Sequence, residues 1–125
     1  MHTEPVTDGA PARRFTDPAY QPLCATLADV RANIDRLDDA IVALLAERAM
    51  YVKDAARFKR DAYQVSAPAR QTEVFAKVRT LANRHNRGFD ALPDVVEAAY
   101  RALVAAFIAN EQRYFSQTEP IGDTP

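Results

Sequence analysis

Three glycines, one cysteine and no tryptophan are spread over 125 residues. So few glycines disfavour a turn-rich β fold. Cys24 has no partner for an internal disulfide. With only His2 and His85 as further soft ligands it cannot build a thiolate zinc site, and it reads as an incidental residue of a leader. No run approaches the roughly 18 apolar residues that span a bilayer. The first 20 residues lack the apolar stretch of a signal peptide. The expected setting is therefore reduced and cytoplasmic, with no membrane. Net charge is −1, which excludes the broad basic field that drives binding to nucleic acid.

What is present is helical periodicity. Residues 1–25 carry four prolines and no period, and read as a leader; residues 118–125 read as a tail of the same kind. Between them, 26–117 reads as one all-α domain of three helices, one long and two shorter. Thr26 offers a hydroxyl cap, with Asp29 three residues on. Leu27, Val30, Ile34, Leu37, Ile41, Leu44, Tyr51, Ala55 and Phe58 then step by threes and fours, a heptad-like seam with no Gly or Pro before Ser66. The pattern predicts one helix from about Thr26 to about Arg60, roughly 50 Å long at 1.5 Å per residue. No single chain of this size is that wide, so such a helix calls for a long partner. A second helix is expected after "SAPARQ", with Ser66 as cap and Gly88 as its left-handed stop. A third is expected from "DALPDVV", capped by Asp90 or Leu92, to about Gln117.

The charges need a separate account. Arg48 falls on the seam between Leu44 and Tyr51, where burial without a partner costs several kcal/mol. Three readings stand side by side: the side chain snorkels, pairs with an acid such as Glu111, or lines an anion cavity. Lys59 lies 11 residues on, which returns to within about 20° of the same helix face. Residues 48–60 hold five cations against Asp54 alone. Helix-dipole complementation explains Lys53, Arg57 and Arg60, but not Arg48. Gln112, on the flank of Val104, Ile108 and Phe115, reads either as a boundary residue or as a neutral donor. Arg70 adds a cation in the first turn of the second helix. Inward His, paired carboxylates, an activated nucleophile and a Gly-rich phosphate loop are all missing. Such a pocket suits orientation and charge stabilisation better than proton shuttling.

The stretches "LADVRANIDRLDDAIVALLAERAMYVKDAARFK" and "IANEQRYF" resemble the all-helical chorismate mutase family. Within it, "YVKDAARFK" and "EQRYF" look similar to the isochorismate pyruvate-lyase branch. The resemblance implies an intertwined homodimer whose two sites each draw residues from both chains, acting on a small dicarboxylate with no cofactor and no metal. Carried over by position, Arg31 matches an arginine given across the dimer to a substrate carboxylate, and Arg48 the arginine on the other carboxylate. Lys59 and Gln112 match the donors to the ether oxygen, and Arg70 matches an arginine near the entrance. Gln71 stands where many mutases place a Glu, and Ile108 where many have a small hydroxyl residue. The implied activity is rearrangement of chorismate to prephenate. The alternatives are lysis of isochorismate to salicylate and pyruvate, or a silent dimerisation or regulatory module. Retention of Arg48, Lys59 and Gln112 together argues against the silent module.

Overall fold

A computed structural model describes residues 3–122, so His2 and the last three residues of the tail lie outside it. Among the described residues every regular element is helical. Helix α1 runs Leu27–Ala55, and a single 3₁₀ turn follows over Ala56–Phe58. Helix α2 is the short Ala62–Ser66, α3 is Pro68–His85 and α4 is Leu92–Phe115. The chain divides within α1 into two compact units, one up to Ala46 and one from Glu47 onward.

In the first unit, α1 starts as its sequence dictates: Thr26 Oγ1 accepts from the Asp29 amide at 3.1 Å. The carbonyl of Thr7 takes the Ala28 amide at 2.8 Å, so leader backbone satisfies a second free donor of the first turn. Residues 3–25 form no helix or strand. Nothing along α1 is buried: Ile34, Leu37, Ile41 and Val42 are 50, 48, 52 and 61 % exposed.

The second unit holds the core. Ala56, Val65, Val78, Ala82 and Val104 are its buried apolar residues, and α4 is the element against which α3, α2 and the 3₁₀ turn all pack.

Five boundaries differ from the sequence reading. The long helix stops at Ala55 rather than near Arg60, and Lys59 is extended at φ −102°, ψ 148°. Local side chains compete for the backbone here. Asp61 Oδ1 accepts from the Gln64 amide at 2.9 Å, and Gln64 Oε1 accepts from the Arg60 amide at 2.7 Å. Together they start a separate turn, α2. Ser66, expected to cap the next helix, is instead the last residue of α2. Ala67, left-handed at φ 45°, ends α2 and begins α3. The cap of α4 is Ala91, also left-handed at φ 57°, in place of Asp90 or Leu92, and the helix ends at Phe115 rather than Gln117. Gly88 does adopt a left-handed φ of 99°, but three residues beyond the end of α3.

Candidate functional site

A cavity of about 310 Å³ opens in the second unit, at the small end of the range for small-molecule sites. Its walls are largely apolar, with Val52, Val65, Val74, Val104, Phe107 and Ile108 among them. Against that surface stand Arg48 from α1, Lys59 from the extended link, Arg70 and Gln71 from α3, and Glu111 from α4. Five of the seven residues singled out in the sequence, Arg48, Lys59, Arg70, Gln71 and Ile108, are therefore brought to one cavity.

Arg48 is half-buried, and its Nη1 is buried with no hydrogen-bond partner. Its guanidinium carbon lies 5.0 Å from the Phe107 ring centre, within the range of a cation–π contact. The acid suggested as its partner, Glu111, pairs elsewhere. Lys59 Nζ is 3.4 Å from Glu111 Oε2, an ion-pair contact whose geometry falls short of a hydrogen bond, so that oxygen has no donor. Glu111 is only 6 % exposed, the one buried charged residue among those described. Arg70 is bonded to Glu73 and largely exposed, as befits a residue at a rim.

Three of the candidate side chains share a structural duty. A five-residue helix leaves most of its carbonyls without intrahelical donors. Lys59 Nζ donates to Gln64 O at 3.1 Å, Gln71 Nε2 to Ser66 O at 2.7 Å, and Gln112 Nε2 to Ala62 O at 2.9 Å. The turn of α2 is held in place by donors from the link, from α3 and from α4.

Gln112, unlike Lys59 and Gln71, is absent from the cavity lining, which differs from the sequence reading. One residue turns a helix by 100°. Counted from Val104, Glu111 returns to within about 20° of the cavity face, whereas Gln112 is about 80° away. The step Val104, Ile108, Glu111 was the available signal for the residue that was missed. Glu111 is the one carboxylate among the residues lining the cavity. Lys59 reaches the cavity by a different route from the one expected, because it leaves an extended link and not the face it would share with Arg48 on a continuous helix.

Arg31 is exposed on α1, in the first unit. Elsewhere in the second unit, α3 and α4 are tied by Arg79, bonded to Asp94 at 2.9 Å and Glu97 at 3.2 Å, and Glu97 also accepts from Arg101 at 2.8 Å. The Arg101 hydrogen bond, with help from Arg79, holds the Glu97 carboxyl below the usual carboxylate range. The Asp94 hydrogen bond does the most to hold the Arg79 proton more firmly than usual. Among the described residues no group of His, Cys, Asp and Glu is gathered to hold a metal ion. No described helix is long and apolar enough to cross a membrane.

The comparisons with known proteins agree with one another. The isochorismate pyruvate lyase of Pseudomonas aeruginosa is 36 % identical over 95 residues, covering 76 % of this chain and 90 % of that protein. A chorismate mutase of Methanocaldococcus jannaschii is 34 % identical over 61 residues, 48 % of this chain and 62 % of that protein. The bifunctional chorismate mutase/prephenate dehydratase of Aquifex aeolicus is 31 % identical over 88 residues, which is 70 % of this chain but only 24 % of that protein. Residues 30–112 match the family described as chorismate mutase type II, a span that takes in Arg31, the whole polar set of the cavity and the seam of α1 from Val30 onward, and the chain belongs to that family.

Proposed function

We propose that the protein is a homodimeric chorismate mutase that rearranges chorismate to prephenate at the cavity of the second unit. The observation that carries the reading is the gathering of Arg48, Lys59 and Glu111 on one apolar-walled cavity of about 310 Å³. Arg48 suits one carboxylate, Lys59 an oxygen that gains negative charge, and apolar walls suit a carbocyclic ring held in a compact conformer.

The rearrangement is pericyclic. The ether C–O bond breaks as a C–C bond forms within the same molecule, and no proton is gained or lost. Arg48 binds one carboxylate. Lys59 donates to the ether oxygen, where negative charge grows as the bond breaks; preorganised donors at such a point are worth about 10²–10³ in rate each. Glu111 takes the part first assigned to Gln112. A carboxyl group donates to that oxygen only in its protonated form, and a carboxylate there instead orients Lys59. Selection of the reactive conformer by the walls supplies the rest of the acceleration.

Arg31 is proposed to complete the site from the partner chain. The exposed seam of α1 supports a dimer, since a periodic apolar face half open to water is stabilised by covering it. Mixing inactive Arg31→Ala with inactive Lys59→Ala subunits is expected to restore activity, because one site in each heterodimer has both residues. No recovery after verified exchange removes Arg31 from the partner's site.

A second reading, isochorismate lysis to salicylate and pyruvate, is favoured by the likeness to the Pseudomonas lyase over nine-tenths of that protein's length. Here the same C–O bond breaks, but a ring hydrogen passes to the departing enolpyruvyl methylene. Supplying the purified protein with each substrate separates the two: prephenate from chorismate supports the first, and salicylate from isochorismate with no prephenate supports the second. Turnover of neither removes both.

A further inference from the structure

The cations of the second unit are held in different ways. Arg57 is bonded to Asp54, Lys59 contacts Glu111, Arg70 is bonded to Glu73, and Arg79 and Arg101 share Glu97. Arg48 has no carboxylate within ion-pair distance among the described residues, although it is half-buried and its Nη1 is shielded from water. What stands against it is the ring of Phe107, 5.0 Å from the guanidinium carbon. Glu111 lies one turn further along α4, on the same face, and its carboxylate meets Lys59 instead. One helix thus offers a π face to one cation of the cavity and a carboxylate to the other.

The two kinds of hold have different consequences for a ligand. A carboxylate would orient Arg48 but occupy its N–H donors and offset its charge, so an incoming anion would have to displace it. An aromatic face attracts the cation through its quadrupole and leaves the in-plane donors of the fork unused. It also limits the rotamers of a long side chain, which otherwise lose entropy only when the ligand arrives.

We propose that Phe107 is a positioning residue for the anion site: its ring holds the Arg48 guanidinium in the cavity, fully charged and with its donors free for a substrate carboxylate. The role rests on the reading of the cavity as a dicarboxylate site. Phe107 itself need not touch the reacting atoms. Because the carboxylate is present in substrate and transition state alike, loss of the ring weakens binding uniformly and appears in KM rather than in kcat.

The experiment compares ring-keeping with ring-removing variants. Phe107→Leu and Phe107→Met fill the space without a π face, and Phe107→Tyr keeps it. With chorismate as the probe, Leu and Met are expected to raise KM about 3- to 30-fold, from the usual worth of a cation–π contact, while kcat changes less than about threefold. Phe107→Tyr should keep KM near that of the unchanged protein. Equal KM in all three variants, or equal damage by Tyr, Leu and Met, overturns the proposal, since a packing role alone does not sort variants by aromaticity. The Arg48 Nε–H resonance supplies a substrate-free readout. Its ring-current displacement should persist in Phe107→Tyr and vanish in whichever of the Leu and Met variants folds. An Nε–H signal indifferent to the ring also overturns the proposal. If the unchanged protein turns over neither chorismate nor isochorismate, it is the reading of the cavity that fails, while the resonance still decides whether Phe107 holds Arg48.

Discussion

The two units of the chain use apolar residues in opposite ways. Up to Ala46, Ile34, Leu37 and Ile41 repeat at helical spacing, yet no described residue there is buried. From Glu47 onward, a shorter and less regular apolar pattern on four elements, the 3₁₀ turn, α2, α3 and α4, produces five buried apolar residues. Periodicity makes a face. Burial needs a second face, and only the second unit supplies one from within the chain. The difference assigns separate tasks: the second unit builds the cavity, while the start of α1 keeps a surface for another molecule, here proposed to be a second copy.

The strongest way to break this contrast is to charge the open face. Leu37→Lys with Ile41→Lys should leave the second unit folded by NMR but convert a dimer to monomers in sedimentation equilibrium. Activity should fall by about 10² or more, as expected if each site needs a partner's residue. A dimer that survives both lysines means that the face does not carry the association.

The next test sharpens the contrast inside the second unit, between a buried polar side chain that faces the cavity and a neighbour that braces the fold. Glu111→Gln keeps a hydrogen-bond donor at the cavity in place of the carboxyl group, so chorismate turnover should persist, whereas Glu111→Ala should lower kcat by about 10²–10³. Gln112→Ala should change kcat by less than about threefold but reduce stability by about 1 kcal/mol, the worth of its bond to the Ala62 carbonyl. The reverse pattern would return the ether-oxygen role to Gln112.

Smaller effects belong to the α3–α4 contact. Glu97 has its carboxyl lowered in the folded state, chiefly by Arg101. Its ion pairs therefore contribute above the carboxyl range of the unfolded chain and fade as pH falls through the lower folded value. The melting temperature should drop more steeply below about pH 5 in the unchanged protein than in Glu97→Gln, with a modest difference because the pairs are partly exposed. Equal acid sensitivity would show that other carboxylates set it. The least effect is expected of Ala67→Gly. A left-handed alanine costs about 1–2 kcal/mol, offset in part by the greater freedom of glycine in the unfolded chain, which leaves a gain of about 0.5 kcal/mol. Urea denaturation reads it, and a loss of stability would show that Ala67 is not strained.

Several features were legible in the residues alone. Periods of three and four fixed the all-helical class, and Thr26 fixed the start of α1, because both depend on contacts within a few residues along the chain. A charge on an apolar seam singled out Arg48, with snorkelling, an acid partner and an anion cavity all open as readings. Other features required the assembled structure. The end of α1 at Ala55 follows from Asp61 and Gln64 recapturing the backbone, a competition that propensity does not rank. Whether α4 turns Glu111 or Gln112 toward Lys59 depends on a rotation of 100° set by how that helix packs on α2 and α3. Sequence determined which side chains are available and which faces are apolar, through local sterics and hydration. Tertiary packing decided which of them converge, because the convergence of α1, the Lys59 link, α3 and α4 on one cavity is a property of distances across the chain and not along it.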